Sequence, residues 1–174
     1  YRQNDGTHKS LAEVQADLDV FNKWRTYDSV SIAGGDPLLH PDVVEIVRMI
    51  VRDGHKPIIN TNGVALTRPL LEDLKAAGLV GLTFHVDSHQ GRAGHWRGKG
   101  ELELCELRLE YARLVASVGG LSCAFNATVY EDTLQHVPAL VQFAADHIDL
   151  INSVIFILYR AATTDGDFDY FRDG

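Results

Sequence analysis

Two adjacent glycines followed by an acid and a proline form the segment of this sequence best suited to hold a ligand. Residues 30–41 read Val-Ser-Ile-Ala-Gly-Gly-Asp-Pro-Leu-Leu-His-Pro. Gly34 and Gly35 have no Cβ atoms, so a ligand can lie against the main chain and φ can become positive. Asp36 adds a carboxylate suited to an ammonium group, and Pro37 restricts Asp36 to extended geometry. An ordinary strand-to-helix turn has the same composition, and this segment alone does not separate the two interpretations.

Polar residues also follow the other strand patterns of the chain, close to where each strand is predicted to end. They are Asn62 and Gly63, then His85, Asp87 and Ser88, then Asn126 and Thr128, and last Tyr159 and Arg160. His85 and Asp87 alternate with apolar residues inside the strand pattern itself, which the general polarity of loops does not explain. The pattern therefore predicts that chemistry collects beyond the carboxyl ends of the strands.

Helix and strand patterns alternate with short connections along the whole chain. Strands are predicted at about 29–33, 56–61, 80–87, 121–129 and 153–159, and helices at about 10–24, 41–54, 67–78, 101–118 and 133–147. This alternation indicates parallel strands joined by right-handed crossovers, with helices covering the sheet. Two α/β architectures fit: an open doubly wound sheet, and a barrel or partial barrel.

Composition narrows the class of protein. The chain has 174 residues, of which 45% are hydrophobic and 23% are charged, which is typical of one globular domain. The net charge of −8 without a cluster of lysine and arginine argues against nucleic acid, and the longest apolar run, 154–158, is far too short to span a membrane. Cys105 and Cys123 form neither a CxxC pair nor a disulfide framework, so we expect a reducing, cytoplasmic compartment.

Three segments, taken in order, resemble one known family. Residues 34–41, Gly-Gly-Asp-Pro-Leu-Leu-His-Pro, are similar to the Gly-Gly-Glu-Pro segment of radical S-adenosylmethionine (SAM) enzymes, with Asp36 replacing the more frequent Glu. Residues 61–63 and 84–88 resemble the next segments of that family at matching intervals. The resemblance implies an α/β fold, a partial (β/α)6 TIM-like barrel whose strands two to six lie in this chain with helices outside. It implies a core at 1–162, incomplete at its N-terminus, and an acidic tail or extension at 163–174.

The cluster-binding motif of the family is absent from this sequence. Family members carry CxxxCxxC, three thiolates for a [4Fe–4S] cluster, just before their first helix, so we expect the sequence to begin immediately downstream, with the cysteines upstream of Tyr1. The resemblance implies that the complete enzyme cleaves SAM reductively to a 5′-deoxyadenosyl radical, which abstracts hydrogen from a substrate. It also implies an electron donor such as flavodoxin or ferredoxin, and a small-molecule or peptide substrate.

The resemblance implies a role for each candidate residue. Gly34, Gly35 and Asp36, with Pro37 beside them, would hold the amino group of SAM. His85, Asp87 and Ser88 would approach the ribose hydroxyls, whereas Asn62 would face the cavity. Asn126 would lie near the adenine or the carboxylate, and Tyr159 would flank the adenine. Cations between His89 and Lys99 would bind an anion or lie in solvent.

Two alternatives remain open from the sequence. His85, Asp87 and His89 form an H-x-D-x-H pattern that an extended strand would place on one face, so a metal-dependent TIM-barrel hydrolase or lyase is one of them. The other is a non-catalytic α/β domain that binds a nucleotide.

Overall fold

Five parallel strands in chain order form the sheet that carries the candidate site. The structure is a computed structural model that describes residues 6–160. The strands are β1 (Ser29–Ile32), β2 (Lys56–Thr61), β3 (Gly81–His85), β4 (Ser122–Val129) and β5 (Ser153–Leu158). Each strand pairs in parallel with its neighbours in sequence, giving the order β1-β2-β3-β4-β5. A doubly wound sheet reverses its strand order, so this progression confirms the predicted partial barrel.

Five helices connect and flank the strands, and their ends follow sequence signals. They are α1 (Leu11–Trp24), α2 (Val43–Arg52), α3 (Arg68–Ala76), α4 (Cys105–Val118) and α5 (Val137–Asp146). Ser10 and Glu13 form a reciprocal capping box at the start of α1, and the Thr67 side chain caps α3. Gly119, at φ 71°, ends α4.

The two faces of the sheet differ in what covers them. Alternate residues of the central strands are buried against the helices and form the main core, among them Ile59, Leu82, Phe84, Val86, Cys123 and Phe125. The residues between them point to the opposite face, where no helix of residues 6–160 lies; this face is called the concave face below. It carries Ser31, Asn60, His85, Asn126, Thr128 and Ile155, which are all half-buried or exposed. The fold therefore leaves one polar face open to a ligand.

The boundaries differ from the sequence expectation at several places, and α5 begins at Val137, after a 3₁₀ turn at Leu134–His136, rather than near Thr133. α4 begins at Cys105 rather than near Glu101, because the Glu101 side chain turns toward the loop after β3. β3 ends at His85, because Asp87 accepts hydrogen bonds from the following backbone and closes a turn. A 3₁₀ turn at Pro37–Leu39, capped by Asp36, precedes α2 and was not predicted. Tyr1 and the predicted tail at 163–174 lie outside the described residues.

A buried ion pair attaches the loop after β3 to α4. Arg108 and Glu101 are 2% and 4% exposed and contact each other directly. The Arg108 guanidinium also donates to the carbonyls of Val86 (2.7 Å) and Glu101 (3.0 Å), and the Glu101 carboxylate accepts from the Ser88 N–H (2.8 Å). Breaking a buried pair leaves an uncompensated charge. The pair therefore fixes where Asp87 and Ser88 lie.

We predict that Arg108→Met destabilises the fold by about 3–5 kcal/mol, because Glu101 remains buried and unpaired. The double variant Glu101→Gln/Arg108→Met should recover part of that loss, since no buried charge remains. The exposed pair Arg68–Glu72 is the control, and Arg68→Met should cost about 1 kcal/mol or less. Urea unfolding measures all three. Equal losses for Arg108→Met and Arg68→Met would contradict the role given to the buried pair.

Candidate cofactor-binding site

The two glycines after β1 expose their backbone at the edge of the sheet. Gly34 and Gly35 are exposed and have φ values of 96° and 48°. A Cβ on Gly34 would meet no atom within 4 Å. Crowding therefore does not require glycine at position 34; the left-handed backbone does. This conformation leaves the main chain of the loop open to a ligand.

The Asp36 carboxylate joins the end of β1 to the end of β2. Its Oδ1 accepts from the Leu38 N–H (3.0 Å), and its Oδ2 accepts from the Asn62 N–H (2.9 Å). The Thr61 hydroxyl donates to the same carboxylate, at 2.8 and 2.9 Å from its two oxygens. These three donors occupy most of the roughly four acceptor positions of a carboxylate. Asp36 thus positions the glycine loop, and at most one acceptor position is left for an ammonium group.

Asn62 and Gly63 form a tight turn at the end of β2. The Asn62 side chain accepts from the Val64 N–H (2.8 Å), so it serves its own turn. The Asn62 carbonyl accepts from Arg92 Nη1 (3.1 Å). A Cβ on Gly63 would lie 2.5 Å from the Tyr111 ring, so that position admits only glycine. Asn62 therefore lies beside Asp36 at the rim, but its side-chain oxygen is already engaged.

His85, Asp87 and Thr128 form a hydrogen-bonded group on the concave face. His85 Nε2 lies 2.9 Å from Asp87 Oδ2 and 2.9 Å from Thr128 Oγ1. Asp87 is 1% exposed, and its Oδ1 also accepts from the His89 and Gln90 N–H groups at 3.0 Å each. The His85 side chain is 37% exposed. Of the three residues predicted at the end of β3, Asp87 is therefore buried, whereas His85 and Ser88 are half-buried.

The pKa of Asp87 lies below its ordinary value. Burial acts to raise that pKa, but the hydrogen bond and the charge of His85, the Thr128 hydroxyl and the Gln90 N–H together outweigh it. The Asp87 side chain is therefore a carboxylate at neutral pH. It is a fixed negative charge next to the His85 ring.

The loop after β3 uses its polar groups mostly on itself. Ser88 donates its N–H to Glu101, as described above. Arg92 Nη2 donates to the His85 carbonyl (2.8 Å), so the guanidinium spans the ends of β2 and β3. Lys99 pairs with Glu103 (2.8 Å). Of the cations suggested for anion binding, Arg92 and Lys99 thus already have protein partners.

An aromatic stack borders the far side of the rim. The His89 ring lies 3.8 Å from the Tyr130 ring, and Tyr130 lies 4.7 Å from Tyr159 (centroid distances). Tyr159 is 56% exposed and extends past the end of β5. Its open ring could stack on a base. Asn126 lies opposite His85 in the β3–β4 register, and its Oδ1 is buried without a hydrogen-bond partner among residues 6–160.

The proposed metal triad does not assemble. His85 faces Asp87, whereas His89 Nε2 lies 3.1 Å from Asp132 Oδ2 on another loop. Across the described residues, no group of three His, Cys, Asp or Glu side chains could hold a metal ion. The hydrolase alternative therefore loses its ligand set.

A cavity lies beside this rim, next to the edge strand β1. It measures about 660 Å³ between α1, α2 and β1, with apolar walls that include Leu18, Ile46 and Ile50. Gly34, Gly35 and Asp36 line its mouth. The glycine loop therefore borders both this cavity and the concave face.

Several functional contacts were missing from the sequence interpretation. Thr61 and Arg92 hold the rim together, and Glu101 and Arg108 fix the loop after β3. A charged pair at i and i+7 on a predicted helix gives little sign of burial, because such pairs are usually exposed. The sequence predicts Thr128 only as a polar residue near the end of a strand, and its contact with His85 comes from the structure.

Comparison with known proteins identifies the family. The profile described as "Radical SAM superfamily" matches residues 1–144, so the chain belongs to that superfamily. It is 28% identical over 138 residues to PqqA peptide cyclase of Xanthomonas euvesicatoria pv. vesicatoria, covering 79% of this chain and 35% of that protein. It is 41% identical over 56 residues to AdoMet-dependent heme synthase of Methanosarcina barkeri, covering 32% and 16% of the two chains.

Solved structures show the same fold. Streptococcus suis SuiB superposes with a TM-score of 0.63 at 17% identity, covering 95% of this chain and 37% of SuiB. SuiB bound to S-adenosylmethionine gives 0.61 at 18% identity, covering 91% and 36%. The chain spans about a third or less of the length of the curated relatives named above.

The family implies SAM and an iron–sulfur cluster, and the residues present fit only the first. Exposed glycine backbone and an unpaired Asn126 oxygen on an open face are suited to a polar nucleoside. The two cysteines do not suit a cluster: burial raises the pKa of Cys123 to about 12 and also raises that of Cys105. Cluster ligands therefore are not found among these 174 residues.

We predict that Asp36→Ala lowers the free energy of unfolding by about 1–3 kcal/mol, because two N–H groups and one hydroxyl lose their acceptor. Asp42→Ala is the matched control, since Asp42 begins α2 without a side-chain capping bond, and it should change stability little. Urea unfolding measures both variants. An Asp36→Ala chain as stable as wild type would show that the carboxylate does not hold the rim.

The depressed pKa of Asp87 predicts acid sensitivity with a definite sign. An ordinary Asp titrates near about 3.9, so Asp87 stabilises the fold above that pH and the contribution is lost as pH falls through the lower folded-state value. Unfolding free energy measured from pH 7 to pH 3 should therefore fall less steeply for Asp87→Asn than for wild type. Asp132→Asn, which removes an exposed carboxylate, should keep the wild-type slope. Identical slopes for all three chains would refute the assignment.

Proposed function

We propose that this chain forms the SAM-binding wall of a radical SAM enzyme, with SAM held over the concave face at the carboxyl ends of the strands. The superfamily match over residues 1–144 is the observation that carries the proposal. The geometry supports it, because the glycine loop, His85 and Asn126 lie on one rim of a face without helices. SuiB, which has a similar fold, has been solved with S-adenosylmethionine bound.

The roles follow from which atoms are free. Exposed backbone at Gly34 and Gly35, with the remaining acceptor position of Asp36, receives the ammonium group of SAM, and Pro37 keeps Asp36 extended. The unpaired Asn126 oxygen receives a donor of the nucleoside, His85 lies beside Asn126 on the rim, and the open Tyr159 ring flanks the adenine. Asp87 acts through His85 as a positioning residue, because its carboxylate is engaged. Ser88 and Asn62 use their N–H and Oδ1 within the protein, which leaves the Ser88 hydroxyl and the Asn62 Nδ2 for a ligand.

The remaining chemistry requires partners beyond these residues. When bound, a [4Fe–4S] cluster and SAM supply a 5′-deoxyadenosyl radical that abstracts hydrogen from the substrate. The cysteines that bind the cluster would come from outside the 174 residues, and an electron donor such as flavodoxin or ferredoxin would reduce the cluster. A peptide or a small molecule is the substrate class, since the named relatives include a peptide cyclase and a heme synthase.

A reduced cluster and unpaired cysteines suit the cytoplasm. Of the helices in residues 6–160, none has the length and apolar character to cross a bilayer.

Two glycines give a matched test of this proposal. Gly34 and Gly54 have similar φ values, 96° and 88°, and a Cβ at either would meet no atom within 4 Å. Gly54 precedes β2 and so lies at the opposite end of the sheet. Valine should therefore cost a similar amount of folding energy at both positions, about 1–2 kcal/mol, but only Gly34→Val should obstruct the ligand.

The measurement is 5′-deoxyadenosine formed from SAM by the complete protein with its reconstituted cluster and dithionite. Wild type and Gly54→Val should form it, and Gly34→Val should form at least tenfold less. Equal activity of the two variants would remove the glycine loop from the site. No product from wild type would favour the non-catalytic nucleotide-binding alternative.

A further inference from the structure

His85 is oriented in a way that binding a nucleoside does not require. Its Nε2 lies between a buried carboxylate and a hydroxyl, at 2.9 Å from each. A carboxylate that stays ionised accepts a proton and does not offer one, so Nε2 carries the hydrogen. The other ring nitrogen, Nδ1, is then unprotonated in the neutral ring and has no hydrogen-bond partner among residues 6–160. The ring therefore presents a basic nitrogen that is not engaged by protein.

The surroundings of His85 favour a ring that can take up a proton. Asp87 is the charged side chain that contacts the ring, and it is held by the His89 and Gln90 N–H groups, so it cannot turn away. The Arg92 guanidinium donates to the His85 backbone carbonyl, and it is the one positively charged side chain among the described contacts of His85. Thr128 and Asn126, on β4, are neutral. An imidazolium here would be stabilised by direct contact with the Asp87 carboxylate.

We propose that His85 is a proton-accepting catalytic residue, whose Nδ1 takes a proton from an O–H or N–H group of the substrate lying over the concave face. The X–H bond breaks with its electron pair left on X, the Nδ1–H bond forms, and the Asp87 carboxylate stabilises the resulting imidazolium. No electron is transferred in this step. The inference rests on the proposed function, which supplies the substrate. An O–H or N–H beside a carbon radical is more acidic than in the parent molecule, so a substrate radical would give up this proton more readily. A positioned base of this kind typically contributes about 10²–10⁴-fold to a rate.

The second His–Asp pair of the chain provides the control. His89 Nε2 lies 3.1 Å from Asp132 Oδ2, but Asp132 is exposed and the His89 ring is stacked on Tyr130. Solvent screens such a pair, so it should not fix the tautomer of its histidine. Asp132→Asn therefore tests whether any nearby carboxylate has the effect claimed for Asp87.

Two measurements on the 174-residue chain test the proposal, and neither needs cofactor, substrate or cluster, so their outcome is separate from that of the proposed function. Nitrogen-15 NMR of histidine-labelled chain at pH 7.5 should show His85 with Nε2 protonated and Nδ1 bare. Diethylpyrocarbonate labelling, mapped by mass spectrometry, should modify His85 in wild type, because its Nδ1 is bare. The nitrogen-15 spectrum of Asp87→Asn should show His85 shifted toward the tautomer with Nδ1 protonated, because the oxygen of Asn stays on the His89 and Gln90 N–H groups and its NH2 group then faces Nε2. Asp132→Asn should keep the wild-type tautomer.

Clear results would overturn the assignment. A protonated Nδ1 in wild type would make His85 a donor toward the concave face, and this result requires no variant that could misfold. Absence of labelling at His85 in wild type, or an unchanged His85 tautomer in a folded Asp87→Asn chain, would show a purely structural histidine.

Discussion

The candidate site depends on one topological constraint: every crossover in the sheet runs in the same direction. Parallel strands in the order β1 to β5 send the connecting helices to one face, and within residues 6–160 no helix covers the other face. Side chains alternate along each strand, so half of the strand residues must face that open side. A face open to water or ligand accepts polar residues such as Asn60, His85 and Asn126 without loss of the core. The same constraint brings all five carboxyl ends to one rim, where the glycine loop and His85 lie.

Charged side chains at this rim serve mainly to hold loops. Asp36 joins β1 to β2, Arg92 spans β2 and β3, and Arg108 with Glu101 fixes the loop that carries Asp87. Each forms hydrogen bonds to backbone groups of the neighbouring loops. Among residues 6–160, the groups left for a ligand include the glycine backbone, one acceptor position of Asp36, one ring nitrogen of His85, the Asn126 amide and the Tyr159 ring. Recognition by a few fixed groups lowers the entropic cost of binding.

The sequence predicted the architecture better than the detailed contacts. β2 was predicted residue for residue, because Pro57, Ile59 and Thr61 alternate with less buried neighbours. The turn after β1 was predicted because Gly34, Gly35, Asp36 and Pro37 are residues typical of turns. The carboxylate of Asp36 was assigned to a ligand, yet its partners, Thr61 and the Asn62 N–H, come from a strand about 25 residues away and carry no local signal. Burial of Arg108 was likewise hidden, since only the tertiary structure places Val86 and Glu101 around it. His85, Asp87 and His89 matched a metal pattern in sequence, but the turn closed by Asp87 directs His89 to Asp132 instead.

The central claim is that the helix-free face binds SAM, and amide NMR of the isotope-labelled 174-residue chain tests it most directly. Without a cluster the affinity should be weak, in the millimolar range, which is about −4 kcal/mol, so SAM is titrated to millimolar concentration. We predict saturable shifts at Gly34, Gly35, His85, Asn126 and Tyr159, and little change along the outer helices. Shifts confined to Leu18, Ile46 and Ile50 in the cavity between α1 and α2, or no saturable shifts at all, would contradict the account.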